Sequence, residues 1–280
     1  MTIFTPLSRR SRPSSERRRT GRRLPLLTLV LLLAAGAASA QSLPSISVLG
    51  DSYSTYEGYM QPAGNRLWYI TNNPRNDVTR VEQTWWHLLC TQHGYRLCQN
   101  NSYSGATICN TGYHGDDYSD RSFITRMSNL GNPDILLILG ATNDDWAGVP
   151  LGDYVYSGWT KEQLYQFRPA MAHMLSYCTK RYVNVPIYFI LNSELSDSIS
   201  DACREICEHY HVPLIALHDI DKQQSHPSVA GMQAIADQVY QAIANPQPQQ
   251  PRSQPGPAAG EQPRPQPQAE NRPKSYFRAR

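Results

Sequence analysis

The chain has 280 residues, enough for one large domain or two small ones. Its formal net charge of +3 belongs to its ends: residues 1–40 hold eight arginines and one acid, and residues 245–280 hold six basic and two acidic residues, so the 26 basic and 23 acidic residues fall to 12 and 20 over 41–244. That interior balance of −8 repels phosphate backbones and argues against nucleic acid as a partner.

Residues 1–40 read as a targeting segment. Eight arginines between Arg9 and Arg23 precede the apolar run "LPLLTLVLLLAAGA", and "ASA" follows, with Ala38 and Ala40 at the small-residue positions before a cut. A basic start, an apolar middle and such an end describe a secretory signal peptide. The run is short and alanine-rich for a membrane span, which needs about 20 apolar residues. Cleavage after Ala40 implies a periplasmic or extracellular protein with no stable membrane insertion, and Gln41 in place of a cysteine offers no point for lipid attachment.

The domain proper is expected over 41–244. Short apolar runs at 45–49, 95–99, 134–139, 186–191 and 213–217 predict strands. "DILLILG" and "PIYFIL" are continuously hydrophobic, as strands covered on both faces are. Helical patterns fall between them: Thr84 to His93 with Gly94 as a stop, then Thr160 to Tyr182 with a kink expected at Pro169, then two more in "SDSISDACREICEHYHV" and "HPSVAGMQAIADQVYQAIA". This alternation predicts an α/β domain with a doubly wound parallel sheet of about five strands. Three segments break it, at 53–80, 107–123 and 147–159. Long insertions in a compact domain are usually functional loops. These segments and their borders are rich in aromatic residues, among them Tyr56, Trp68, Trp159 and, just before the third segment, Trp146, which suit stacking on the flat C–H faces of sugars.

Six cysteines, at 90, 98, 109, 178, 203 and 207, allow 15 disulfide pairings that spacing alone does not rank. Cys203 and Cys207, with His209 and His211 close behind, invite a zinc reading, but the two thiols fall on one apolar face of a helix and no metal is expected. From Asn245 onward the chain carries nine of its 21 prolines and predicts an extended or disordered tail over 245–280.

The ends of the predicted strands carry the chemistry. The first is followed by Gly50, Asp51 and Ser52, the second by "NNSYSGAT" with Gly105, and the third by "GATND" with Asn143; "SHPSVAGM" with His226 precedes the last helix. A parallel sheet brings these stretches to one edge. A serine, a glycine N–H, a carboxamide and an imidazole in one cleft are the parts needed for acyl transfer: nucleophile, oxyanion donors and general base. Asp51 and Asp144 beside them read as hydrogen-bonding loop residues.

The order Ser52, Gly105, Asn143, His226 resembles the SGNH (GDSL-type) hydrolase superfamily, whose four sequence blocks supply those residues, and the match runs over essentially the whole domain. The resemblance implies a flavodoxin-like three-layer α/β/α fold and ester hydrolysis without a cofactor or metal. Ser52 would attack the acyl carbonyl and His226 would act as base. The N–H groups of Ser52 and Gly105, with the Asn143 amide, would hold the oxyanion. One position departs from the pattern. The family usually has an aspartate three residues before the histidine, and here that residue is Gln223. A Ser–His dyad is expected, its ring oriented by Gln223 or a backbone carbonyl, with Asp221, Asp219 and Glu194 as alternative carboxylates. The reading that follows is an exported serine esterase acting on acetyl or other small acyl esters, on a glycan or another acylated small molecule. A lipid acyl esterase and a glycan-binding module without turnover are the alternatives, and Tyr56, Trp68, Trp146 and Trp159 are the expected substrate contacts.

Overall fold

The computed structural model describes residues 42–246. The expected signal segment (1–40) lies outside the described residues, as does the expected tail apart from Asn245 and Pro246. In chain order the elements are β1 (Ser45–Gly50), α1 (Trp85–His93), β2 (Arg96–Ser102), α2 (Phe123–Arg126), β3 (Ile135–Gly140), α3 (Thr142–Ala147), α4 (Phe167–Arg181), β4 (Ile187–Leu191), α5 (Asp197–His209), β5 (Leu214–Ala216), β6 (Lys222–Gln223), β7 (His226–Pro227) and α6 (Val229–Ala244). Strands β1 to β5 form one sheet in the order β2-β1-β3-β4-β5, every pair parallel.

Each central strand serves two cores because its side chains alternate between faces. Leu49, Leu136, Ile138 and Phe189 pack on one face with Phe167, Met171, Leu175 and Ile206, which belong to α4 and α5. Ile46, Val48, Leu137, Leu139 and Ile190 pack on the other with Trp85, Trp86, Leu89, Ile235 and Val239 of α1 and α6. The result is the expected three-layer α/β/α sandwich. Among the described residues no helix is long and apolar enough to cross a membrane.

One expectation needs correction. No kink occurs at Pro169: a 3₁₀ turn at Gln163–Tyr165 ends before α4, and Pro169 sits in the first turn of that helix, where a missing N–H leaves no bond unmade. The sequence also hid the two-residue antiparallel pair β6–β7, with Gln223 opposite His226. Its turn residues Gln224 and Ser225 both have positive φ, 48° and 61°. Tight hairpins need that geometry, but it is normally announced by Asn or Gly. The six cysteines are all free thiols, and the described residues contain no cluster of three or more His, Cys, Asp or Glu side chains able to hold a metal ion.

Candidate active site

Strand register brings the site together. Gly50 at the end of β1 pairs with Ser102 on β2 and with Leu139 on β3, so the chains leaving all three strands emerge side by side. Gly50 leaves no room for a larger residue, since a Cβ there would meet Ser102 Oγ at 2.6 Å and Ser54 at 2.7 Å. Immediately beyond, Ser52–Ser54 form a 3₁₀ turn capped by Asp51, whose carboxylate accepts from the N–H of Tyr53 at 3.0 Å. The indole N–H of Trp85 donates to Ser54 Oγ and that of Trp86 to the Ser54 carbonyl, fixing the turn from below.

The hydroxyl of Ser52 lies 2.9 Å from Nε2 of His226, although 174 residues separate them. Nδ1 of the same ring lies 3.0 Å from the carbonyl oxygen of Gln224. A carbonyl can only accept, so Nδ1 carries the proton and Nε2 is left to accept from the serine. The ring is therefore oriented by the backbone of its own hairpin. None of the four side chains proposed for that task bonds the ring: the Gln223 amide oxygen accepts from the N–H of Asp77 at 2.9 Å, the Asp221 carboxylate takes the Ser228 hydroxyl, Asp219 pairs with His218, and Glu194 pairs with Lys222. Those readings from sequence are corrected. The hairpin has no apolar core of its own, and the 53–80 insertion holds it instead. Tyr53 Oη donates to the Ser225 carbonyl at 2.6 Å, Tyr69 Oη to that of Pro227 at 2.8 Å, and Asn76 Nδ2 to that of Pro227 at 3.1 Å.

Gly105 has φ +86°, a conformation that favours glycine, and nothing lies within 4 Å of where a Cβ would stand. Among the described residues, no backbone or side-chain oxygen accepts from the N–H of Ser52 or of Gly105. Asn143 is placed by a tight β3–α3 turn in which Ala141 adopts φ 74°. One amide hydrogen of Asn143 is committed to the Ala106 carbonyl at 3.0 Å, and its oxygen accepts from Tyr113 Oη at 2.8 Å. That fixes the amide plane and leaves the second N–H free. Burial, with Asp51 and Asp144 adding negative charge, pushes the Tyr113 phenol up to about 12, so it stays protonated and donating. The loop bearing Gly105 is pinned by Asp144, whose carboxylate accepts from the N–H groups of Ile108 at 2.8 Å and Cys109 at 3.3 Å. Burial raises the carboxyls of both Asp51 and Asp144 to about 7.

The aromatic residues divide. Trp68 lies flat against the His226 imidazole, with ring centroids 3.6 Å apart and an interplanar angle of 8°. It is a wall for the base, and the guanidinium of Arg75 stands 5.2 Å from its ring centre. Trp146 stands edge-on to the imidazole at 6.1 Å and is 41% exposed. The other two do not reach the pair. Tyr56 is buried in the core, edge-on to Tyr59, and Trp159 donates to the Val155 carbonyl and packs against His173. Burial first, then the nearby charges of Arg75 and Lys222, lower the His226 imidazole to about 4 against the opposing pull of the Gln224 carbonyl. The base is neutral at pH 7.

Sequence reasoning did not single out Arg126. It is buried and donates to the carbonyls of Gly50 at 3.1 Å, Arg121 at 2.7 Å and Asn101. It thereby ties the carboxyl ends of β1 and β2 together. Burial lowers its guanidinium to about 9, which still leaves it charged at neutral pH. An arginine in an ordinary short helix carried no signal of this role.

A parallel five-stranded sheet between two helical layers, with a serine, an imidazole and unspent N–H donors at its carboxyl edge, defines the class as an α/β/α hydrolase fold. The chain belongs to the GDSL-like lipase/acylhydrolase family, whose model matches residues 44–243, and that membership makes it a hydrolase acting on esters. Among solved structures it is similar to a candidate GDSL-like lipase from Bacteroides ovatus, at 60% identity and TM-score 0.72, covering 73% of this chain and 99% of that one. A candidate GDSL-like lipase from Bacteroides uniformis is 53% identical with TM-score 0.71, covering 73% and 97%. A carbohydrate esterase shares the fold at 18% identity and TM-score 0.50, covering 72% of this chain and 64% of that one. No curated protein sequence matches the chain.

Proposed function

We propose that the protein is a serine esterase that removes acetyl or another small acyl group from a hydroxyl of a carbohydrate, and that it acts after export, as its arginine-rich, apolar leader suggests. The observation that carries the reading is the 2.9 Å contact between Ser52 Oγ and His226 Nε2 beside uncommitted N–H donors. In the reaction Ser52 gives its proton to Nε2 as its oxygen attacks the acyl carbonyl. The negative charge that develops on the carbonyl oxygen is met by the N–H groups of Ser52 and Gly105 and by the free N–H of Asn143. The imidazolium then protonates the departing alcohol oxygen, leaving the acyl group on Ser52. Water, deprotonated by the same nitrogen, repeats the attack and frees the acid. The Gln224 carbonyl keeps the ring in the productive tautomer throughout, but as a neutral acceptor it stabilises the imidazolium less than a carboxylate would.

The pocket beside His226 favours sugar over lipid. It is lined by Trp146, Asn192, Ser193, Glu194, Lys222 and Ser225, a set with one exposed aromatic plane and no aliphatic trough. Hydrolysis of p-nitrophenyl esters from acetate to octanoate by the wild type and by Ser52→Ala tests the reading. Turnover that falls with chain length and disappears in the variant supports it. Unchanged turnover in Ser52→Ala overturns the mechanism, and a preference for octanoate overturns the substrate class.

A further inference from the structure

We propose that the pocket between the end of β4 and the β6–β7 hairpin is the subsite for the leaving alcohol and is built for an uncharged, hydroxyl-rich ring. The inference rests on the esterase reading and gives it a specificity site. Nε2 of His226 must reach the departing oxygen, so the alcohol leaves on the imidazole side of Ser52, away from the Gly105 and Asn143 donors. On that side lies a pocket of about 340 Å³, walled by Trp146 from α3, Ser225 beside the base, and Asn192 just past β4. This is within the size range of small-molecule sites.

Asn192 supplies the key observation. It is 4% exposed, and its amide nitrogen is spent on Tyr53 Oη at 3.2 Å and Thr142 Oγ1 at 3.3 Å. Its oxygen is buried with no partner among the described residues. A buried acceptor without a donor is unfavourable, and buried amides are usually satisfied on both ends. Asn192 is anchored by its nitrogen at the pocket wall, and a second hydroxyl of the alcohol would satisfy its unpartnered oxygen once the site is filled. The ammonium of Lys222 lies 3.1 Å from Ser193 Oγ and 3.0 Å from the Glu194 carboxylate, adding a donor and an acceptor at the same wall. Such alternating donors and acceptors are met in full by vicinal hydroxyls and not at all by an alkyl chain. Trp146 gives the apolar half of the match, since its exposed indole can cover the C–H face of a pyranose.

The same wall residues Asn192, Ser193 and Glu194 open onto a larger groove of about 720 Å³ past the ends of β4 and β5. Its lining includes Glu194, Asp197, Asp201, Asp219 and Asp221, with Arg204 and with His218, which pairs with Asp219. A groove of that charge disfavours phosphorylated or acidic alcohols, so the ligand class is a neutral sugar, with room for it to extend into a chain.

Titration calorimetry on the Ser52→Ala protein tests this, with the methyl β-glycosides of xylose, glucose and galactose as probes and 1-hexanol as the aliphatic control. Saturable binding of at least one glycoside is expected, weakened about tenfold by Trp146→Ala and by Asn192→Ala, with no saturable binding of hexanol. Because Trp146 is exposed, its variant keeps the test meaningful if Asn192→Ala fails to fold. Absence of binding by all three glycosides, an affinity indifferent to Trp146→Ala, or a preference for hexanol would overturn the subsite. Hydrolysis of p-nitrophenyl acetate by the wild type is measured alongside: its loss with glycoside binding intact overturns the esterase reading, whereas turnover without glycoside binding overturns the subsite alone.

Discussion

Replacing Trp68 should move the pH at which the enzyme switches off. In the folded protein the indole covers one face of His226 at 3.6 Å, and the residue is 6% exposed. Burial is the largest cause lowering its pKa from 6.5 to about 4, which corresponds to roughly 3 kcal/mol against the charged ring. The base works only when neutral. With a depressed pKa it is neutral across pH 5 to 8, and activity is lost only as pH falls through about 4. In Trp68→Ala water reaches the exposed face and the largest cause weakens. The acid limb of kcat/KM should then rise by about one to two pH units toward the ordinary histidine value, a relaxation of about 1.4 to 2.7 kcal/mol. Trp68→Phe, which still covers the ring, should stay nearer the wild type. The assay is p-nitrophenyl acetate hydrolysis from about pH 3 to 8 at constant ionic strength, paired with the NMR titration of the His226 ring protons. A wild-type midpoint near the ordinary histidine value, or an acid limb that Trp68→Ala leaves in place, refutes the argument that this stack sets the proton affinity.

Other substitutions separate the parts of the site. Asn143→Ala removes an oxyanion donor and should lower kcat about 10²- to 10³-fold with little change in KM. Tyr113→Phe removes only one of the two bonds that fix the Asn143 amide plane, so its loss of kcat should be smaller and in the same direction, read in the same assay. Gln223→Ala should keep kcat within a few-fold of wild type, because that side chain bonds the N–H of Asp77 and not the base; a collapse of turnover there would contradict the backbone-carbonyl assignment. Arg126→Met removes three hydrogen bonds to backbone carbonyls, two of them buried, and should destabilise the fold by about 3 kcal/mol or more, measured by urea unfolding.

The sheet was legible because its strands are apolar on both faces, and the order of Ser52, Gly105, Asn143 and His226 was legible because each follows a strand or opens a helix. What escaped the sequence depends on contacts between distant segments. β2 runs on to Ser102 through Asn100 and Asn101, polar residues that read as loop until Asn100 is seen donating to the Ser54 carbonyl at 2.9 Å. The β6–β7 turn lacks the glycine or asparagine that marks such turns, so a backbone carbonyl could be expected to orient His226 but nothing in the sequence said that it was that of Gln224. Trp68, Trp146, Tyr56 and Trp159 look alike as letters. Only packing separates the one that stacks on the base, the one left open beside it, and the two that serve the core or another surface.

Intact-protein mass spectrometry after rapid acid quench of a p-nitrophenyl acetate reaction, followed by peptide mapping, addresses the central claim most directly. The account predicts a transient gain of one acetyl group on the peptide containing Ser52, and its disappearance in Ser52→Ala together with turnover. Turnover with no acetylated protein at any quench time, or an acetyl group on another residue that persists in Ser52→Ala, would contradict it.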